Sequence, residues 1–353
     1  MISPRAFVVL VALLFALPLN LATAASAPKS GAKSIADKPE SSSPTEPSSA
    51  TVEDMLGAVV RVRMKAIADA RSSVSLGDTR EGTGVVIDDR GHIVTIGYIV
   101  IEADSIEVTT QDNRTLPATL VGYDHASGFG LLRASVPLKT KPMAMGDASA
   151  LSTRDPVMIV PANGREAASV AYVVSRRKFA GSWEYLLDDA IFTSPPTLQW
   201  AGAALVNREG QLVGIGSLLV RNAASPDTQL PGNMFVPIDL LKPILPELIA
   251  KGRRSAAPRP WLGLATEEVQ GHLFVTRVSP DGPADKAGIR NGDIVLGVGG
   301  KAVKSHEEFY RGMWSSGAAG VEIPLKVLQG SEPRDIRVRS IDRFQYFREK
   351  PTY

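Results

Sequence analysis

The sequence predicts a mainly β protein, in which two successive β-barrels precede a smaller domain that mixes strands and helices. Short apolar runs recur between residues 52 and 246 with turn signals between them, which is typical of barrels and sandwiches. These roughly 190 residues exceed what one small barrel needs, so we expect two barrels that divide near Ala148–Arg154. The basic, proline-containing stretch "RRSAAPRP" then separates a C-terminal block of different texture.

The first 51 residues are predicted to precede the folded part of the chain. A positively charged start, the apolar run Ala6–Leu17 and the small residues of Ala22–Ala27 indicate a signal peptide over residues 1–25. The apolar run is shorter than the ~20 residues of a membrane-spanning helix, and an uncleaved anchor is the alternative. Residues 26–51, rich in Ser and Pro, favour a disordered linker. We therefore expect a periplasmic or secreted protein without a transmembrane segment after signal cleavage.

Composition excludes several classes of site. The chain of 353 residues has a formal net charge of +2, which argues against a nucleic-acid-binding protein. It contains no cysteine, so no disulfide, thiolate nucleophile or cysteine-ligated zinc site can form. Its four histidines lack the spacing of a zinc motif. We expect no metal site and no cofactor.

The two predicted barrels occupy residues 52–252. The segment "GTGVVIDDRGHIVTIGYIV" indicates a strand, a turn and a strand, and Ser105–Asp124 indicates a second hairpin. The stretch "QWAGAALVN" crowds small residues together and leads into a hairpin with the turn "NREG". The last element, Pro237–Gly252, is predicted to be one amphipathic helix that ends at Gly252.

The C-terminal block is predicted to be a separate domain over residues 260–343, after a linker at 253–259 and before a tail at 344–353. The segment "PADKAGI" indicates a short helix with Pro near its start and Gly at its end. A second helix is predicted in "SHEEFYRGMW". The turn "NGD" leads into a strand of β-branched residues.

These motifs carry two resemblances. The segment "SPDGPADKAGIRNGDIVLGVGGKAV" resembles the signature of a bacterial PDZ domain. The segments "GTGVVIDDRGHIVT", "LVGYD", "ALVNREGQLVGI" and "VPID" are similar to the protease domain of the HtrA (DegP) family. The resemblance implies a trypsin-like double β-barrel followed by an α+β PDZ domain, in a family that often forms trimers through its first barrel.

The resemblance also implies a Ser–His–Asp triad, but this sequence carries other residues at all three positions. Tyr98 stands at the His position in "TIGYIV", Gly128 at the Asp position in "GFGLL" and Ala201 at the Ser position in "QWAGAALVN". Ala201 offers no oxygen for an acyl-enzyme, and tyrosine is a poor base at neutral pH. Glycine cannot orient an imidazole. We therefore expect no catalytic residue at the degenerate positions.

Substitute catalytic groups are the alternative hypothesis. His125 is the candidate base and Ser194 the candidate nucleophile, whereas His92 would lie about 20 Å along an extended strand from Tyr98. The pair Asp188 and Asp189 is interpreted as strand-end surface. A rearranged site of this kind would make the chain an active HtrA-type serine endopeptidase. A structural scaffold that assembles with an active relative is a third hypothesis.

The preserved PDZ signature supplies the leading hypothesis. The resemblance implies that a peptide carboxylate binds the loop of Trp261, Leu262 and Gly263, and that Leu264 begins the groove strand. We expect Phe309 and Met313 to wall the pocket, with a purely structural core role as the alternative.

The predicted function is therefore a catalytically inactive HtrA-like chaperone, adaptor or regulator of the cell envelope. Its predicted partners are peptide or protein C-termini and unfolded envelope proteins. Further predicted partners are copies of itself in a homo-trimer, or an active relative in a mixed assembly.

Overall fold

Two closed β-barrels and an open sheet make up the protein in a computed structural model that describes residues 49–348. This confirms the predicted mainly β class and the order of the three folded parts. The predicted signal peptide, almost all of the linker at 26–51, and residues 349–353 of the predicted tail lie outside the described residues. Within residues 49–348, no helix is long and apolar enough to cross a membrane.

The first barrel contains six antiparallel strands. They are β1 (Val59–Ala66), β2 (Thr79–Val86), β3 (His92–Ile96), β4 (Ala103–Thr109), β5 (Thr115–Tyr123) and β6 (Phe129–Ala134). The barrel closes in the order β1–β2–β3–β6–β5–β4. Every second side chain of β1 from Val60 to Met64 is buried, as expected for a strand with one face on a core. Helices α1 (Ser49–Gly57) and α2 (Ser73–Leu76) flank this barrel.

The second barrel is built in the same way. Its strands are β7 (Pro156–Val160), β8 (Ser169–Gly181), β9 (Tyr185–Ser194), β10 (Ala204–Val206), β11 (Leu212–Val220) and β12 (Gly232–Pro237). It closes in the order β10–β11–β12–β9–β8–β7. Strands β8 and β9 form a long hairpin that pairs up to Gly181 and Tyr185. The turn of this hairpin, residues 182–184, contacts the third domain.

The single helix predicted for Pro237–Gly252 is wrong. A 3-10 turn covers Ile238–Leu240, and helix α3 (Leu245–Lys251) begins only later. Pro243 and Pro246 explain the break, because proline has no N–H to donate and is tolerated only in the first helical turn. The predicted end is confirmed, since Gly252 caps α3 with φ 72° in the left-handed region.

The third domain is an open sheet with two helices. Its strands are β13 (Leu264–Val269), β14 (His272–Val278), β15 (Ile294–Val298), β16 (Lys301–Ala302), β17 (Glu322–Gln329) and β18 (Glu332–Arg339). The sheet order is β13–β14–β15–β17–β18, and β16 pairs with β15. The two predicted helices are present as α4 (Pro283–Lys286) and α5 (His306–Trp314). Ser305 caps α5, where its hydroxyl accepts from the Glu308 N–H.

The segment after β18 packs back onto the barrels. Ile341 forms a β-bridge with Trp261. The ring of Phe344 then lies 4.4 Å from that of His125 and 6.0 Å from that of Tyr123, both in the first barrel. The last described part of the chain therefore ties the third domain to the first barrel.

Candidate functional site

The three positions at which the resemblance implies a triad lie where the two barrels meet. Tyr98 lies in a 3-10 turn, Gly97–Ile99, just after β3 ends at Ile96. The Gly97 N–H donates to the Gly128 carbonyl at 2.6 Å, so the residue before Tyr98 is a direct neighbour of Gly128. A side chain at Gly97 would overlap the Tyr123 ring, with its Cβ 1.7 Å from a ring carbon.

The Tyr98 side chain is held as a hydrogen-bond donor. Its hydroxyl donates to the Ser217 carbonyl in β11 at 2.9 Å, which joins the two barrels. Burial raises the pKa of Tyr98 well above its ordinary value, while a hydrogen bond with the Trp200 side chain opposes this shift. The phenol therefore keeps its proton at neutral pH and cannot act as a general base there.

At the second position, Gly128, the Tyr185 side chain of the second barrel lies close to the backbone. Gly128 has φ 84°, and a Cβ built there would lie 3.3 Å from the Tyr185 hydroxyl. That hydroxyl donates to the Ser127 carbonyl at 2.6 Å. Burial raises the pKa of Tyr185, so this group is also a neutral phenol. No carboxylate is available at residue 128 to orient a base.

The loop at the third position, Ala201, is held by backbone hydrogen bonds to neighbouring strands. The Ala201 carbonyl accepts from the Thr83 N–H at 2.8 Å, and the Gly202 N–H donates to the Gly216 carbonyl at 2.9 Å. The Gln199 N–H donates to Thr197 Oγ1 at 3.2 Å. An oxyanion hole needs backbone N–H groups that point at the substrate. The N–H groups of Gln199 and Gly202 are instead engaged within the protein.

The candidate substitute groups contact residues other than Tyr98, Gly128 and Ala201. His92 contacts Asp88 in its own hairpin, Nδ1 to Oδ2 2.6 Å. His125 packs against the rings of Tyr123 and Phe344, and neither of its nitrogens has a hydrogen-bond partner among the described residues. Burial lowers the pKa of His125 well below its ordinary value. The Ser194 hydroxyl donates to the Pro231 carbonyl at 2.8 Å.

The two aspartates interpreted as surface both form ion pairs. Asp189 pairs with Arg176 within the same hairpin, and Asp188 pairs with Arg311 of α5. Across residues 49–348, no group of three His, Asp or Glu side chains is arranged to hold a metal ion.

The loop before β13 has the geometry of a carboxylate receptor. Gly263 has φ 83°, which turns the backbone so that successive N–H groups point to one side. The N–H groups of Leu262, Gly263 and Leu264 converge on the carboxylate of Glu184, at 3.0, 2.7 and 2.8 Å. Trp261, just before them, pairs through its backbone with Ile341. Three of the four predicted loop and strand residues thus bind one carboxylate.

Glu184 lies at the tip of the β8–β9 hairpin and is only 6% exposed. Burial raises the pKa of this carboxyl to about 7, although its three N–H donors and Arg343 favour the ionised form. Nothing in the local sequence "GSWEYLL" marks this residue, because its partners lie 78 to 80 positions further along the chain. Sequence reasoning missed it for that reason.

Helix α5 contacts the β8–β9 hairpin from the side opposite the loop. Phe309 and Met313 are fully buried in the core of the third domain, together with Leu186 from the hairpin. Tyr310, which the sequence analysis did not select, makes the polar contacts. Its hydroxyl donates to the Gly181 carbonyl at 2.7 Å and accepts from the Glu184 N–H at 3.2 Å.

Comparisons with known proteins agree with this architecture. A family described as "Trypsin-like peptidase domain" matches residues 82–215, and one described as "PDZ domain" matches residues 260–339. The serine endoprotease DegS of Escherichia coli (strain K12) is 29% identical over 245 residues, which cover 62% of this chain and 65% of DegS. The chain thus spans slightly less than two thirds of the length of that relative.

Two further relatives extend the match. The serine protease Do-like HtrA of Bacillus subtilis (strain 168) is 25% identical over 330 residues, 82% of this chain and 71% of that protein. A solved structure of the HtrA-type protease AlgW with a decapeptide covers 85% of this chain and 98% of that chain. Its TM-score is 0.50 at 18% identity, which shows a shared fold.

Proposed function

Since the chain is homologous to the DegS, DegP and HtrA serine proteases, with a trypsin-like peptidase domain and a C-terminal PDZ domain, we propose that it binds peptides without cleaving them. The observation that carries this proposal is the pair of sites described above. The barrel junction holds Tyr98, Gly128 and Ala201 where the resemblance implies a triad. The loop at Leu262–Leu264 binds a carboxylate on three N–H groups.

The chemistry supports loss of cleavage at each step. Attack on a peptide carbonyl needs a nucleophile, and Ala201 carries no oxygen. Tyr98 and Tyr185 are neutral phenols, each of which donates to a carbonyl. Loss of a triad member typically costs on the order of 10⁴ in kcat, and here all three positions differ.

We expect the purified protein to show no turnover of casein and no labelling by a fluorophosphonate probe. DegS or another active homologue, assayed in parallel, is the positive control. The Ser194→Ala variant tests the alternative of a displaced nucleophile. Labelling that disappears in this variant, or in the variant of any other single serine, would show an active endopeptidase and overturn the proposal.

The PDZ groove is expected to bind peptides that end in an apolar residue with a free carboxylate. Micromolar dissociation constants are expected for fluorescein-labelled hexapeptides that end in Val, Leu or Phe. Leu264→Glu should abolish binding, because it places a carboxylate at the start of the groove strand, where it repels the carboxylate of the peptide. Leu198→Glu, at a side chain that is 77% exposed outside the third domain, is the matched control.

Circular dichroism of both variants checks that they remain folded. If Leu264→Glu is folded and its titration matches that of the unmodified protein, the groove assignment is wrong.

We further propose that the protein works in the periplasm. The predicted signal peptide supports this, as does the name of a relative, the periplasmic serine endoprotease DegP of Escherichia coli (strain K12), which is 29% identical over 240 residues.

A further inference from the structure

A peptide C-terminus satisfies three parts of a PDZ groove at once. Its carboxylate accepts from the backbone N–H groups of the loop, its backbone pairs with the groove strand, and an apolar side chain enters the core pocket. In this chain the end of the β8–β9 hairpin, residues 180–186, supplies a counterpart to each part.

The first counterpart is the Glu184 carboxylate. Oε1 accepts from the N–H groups of Gly263 and Leu264 at 2.7 and 2.8 Å, and Oε2 accepts from that of Leu262 at 3.0 Å. These are charge-assisted hydrogen bonds when the carboxyl is ionised, and together they use the three successive donors of the loop. A peptide carboxylate that binds the same donors must displace Glu184.

The second counterpart is the hairpin backbone. The Ser182 carbonyl accepts from the Thr266 N–H of the groove strand at 3.0 Å. On the opposite side, the Gly181 carbonyl accepts from the Tyr310 hydroxyl of α5. The hairpin thus bonds to both walls of the groove, which are the elements between which an added peptide strand would lie.

The third counterpart is apolar. Leu186 follows Glu184 by two residues and belongs to the buried core of the third domain. Ala180, on the other strand of the hairpin, packs against the same core. The hairpin therefore contributes side chains to a core that is otherwise made from the third domain alone.

Ion pairs at the rim fix the orientation of the hairpin. Lys178 of β8 pairs with Glu307 of α5 at 2.7 Å, and Asp188 of β9 pairs with Arg311 of the same helix. Exposed pairs of this kind contribute little energy, but these two lie on either strand of the hairpin and align it with α5. Glu184 itself has φ 58°, a conformation that is uncommon for a residue with a side chain.

We propose that the β8–β9 hairpin is an internal ligand of the PDZ groove, which Glu184 closes until the C-terminus of another protein displaces it. This inference rests on the proposed function, because it regulates the same groove. The groove then has two states, one with the hairpin bound and one with an external peptide bound, which exclude each other at the loop.

The test compares peptide affinity and hydrogen exchange in the full-length protein. Glu184→Ala removes the internal carboxylate. The double variant Lys178→Ala/Asp188→Ala weakens the docking from the hairpin side without changing the groove. Glu209→Ala, in the exposed turn between β10 and β11, is the matched control. The probes are the labelled hexapeptides that end in Val, Leu or Phe, each with a free and with an amidated C-terminus.

We expect Glu184→Ala to bind the free-carboxylate probes at least about tenfold more tightly than the unmodified protein. The double variant should give a smaller gain, and Glu209→Ala none. Without peptide, the amides of Leu262–Leu264 should exchange faster in Glu184→Ala. The amidated probes should bind weakly to every variant.

The outcomes separate this inference from the proposed function. Unchanged affinity together with unchanged exchange at the loop in folded Glu184→Ala would overturn the internal-ligand proposal and leave peptide binding in place. Faster exchange in Glu184→Ala with no binding of any free-carboxylate probe would instead support the internal contact and overturn the proposed peptide-binding function.

Discussion

Replacing Gly202 with alanine is expected to lower the free energy of unfolding by about 3 kcal/mol or more. A Cβ at this position would lie 2.0 Å from the Thr83 carbonyl oxygen and 2.8 Å from Thr95 Oγ1. The residue also has φ 76°, which disfavours any side chain. Urea unfolding of the variant and of the unmodified protein measures the difference.

Gly288→Ala is the matched control for this experiment. Gly288 has φ 87°, but a Cβ there would have no atom within 4 Å, so only the backbone conformation is penalised, by about 1 to 2 kcal/mol. Equal losses at the two positions would contradict the prediction. A larger loss of stability at Gly202 would show that the first barrel packs too closely against the loop of Ala201 to admit a side chain.

The stability that Glu184 contributes is expected to fall as the pH rises. Burial raises the pKa of this carboxyl to about 7 in the folded protein, from an ordinary value of 4.5. Between these values the folded state holds a proton that the unfolded chain has released, so the contribution is complete below 4.5 and is lost as the pH passes about 7. The full effect is up to about 3 kcal/mol.

The measurement is urea unfolding of the unmodified protein and of Glu184→Gln at about pH 5 and about pH 8. Because glutamine does not titrate, the stability of the unmodified protein relative to the variant should be greater at the lower pH. Other charged groups near Glu184 are the same in both proteins, so their contributions cancel in this comparison. Those around the adjoining cavity are Asp124, His125, Arg253, Arg254, Arg259, Asp342 and Arg343, and Tyr310 faces the hairpin from α5. A difference that is constant with pH, or that grows as the pH rises, would contradict the prediction.

Most of the fold could be predicted from local signals in the sequence. Turns such as "NREG" and "DDRG" lie between strands that pair with each other, so the hairpins could be predicted from neighbouring residues. The prediction of one helix at Pro237–Gly252 was wrong because Pro243 interrupts an otherwise helical apolar pattern. Helix α1 and strand β1 at the start of the folded chain were not identified, because no clear turn signal separates them.

The candidate site was predictable only in part. The positions Tyr98, Gly128 and Ala201, and the loop at Trp261–Leu264, follow from motifs that resemble a family. The docking of Glu184 does not, because it depends on how far the β8–β9 hairpin extends from the barrel and on where the third domain lies. Contacts of this type join residues that are distant in sequence, and a glutamate in a turn is ordinarily a solvated residue.

The attachment of Glu184 to the same chain as its receptor has a consequence in terms of mass action. A tethered ligand competes at a fixed effective concentration, in the millimolar range for short connections, and dilution of the protein does not lower it. Only the abundance of free chain ends then decides how many molecules are open. A rise in such ends, as occurs when other proteins are damaged and cut, would shift this population from closed to open, with a midpoint set by the strength of the Glu184 contact.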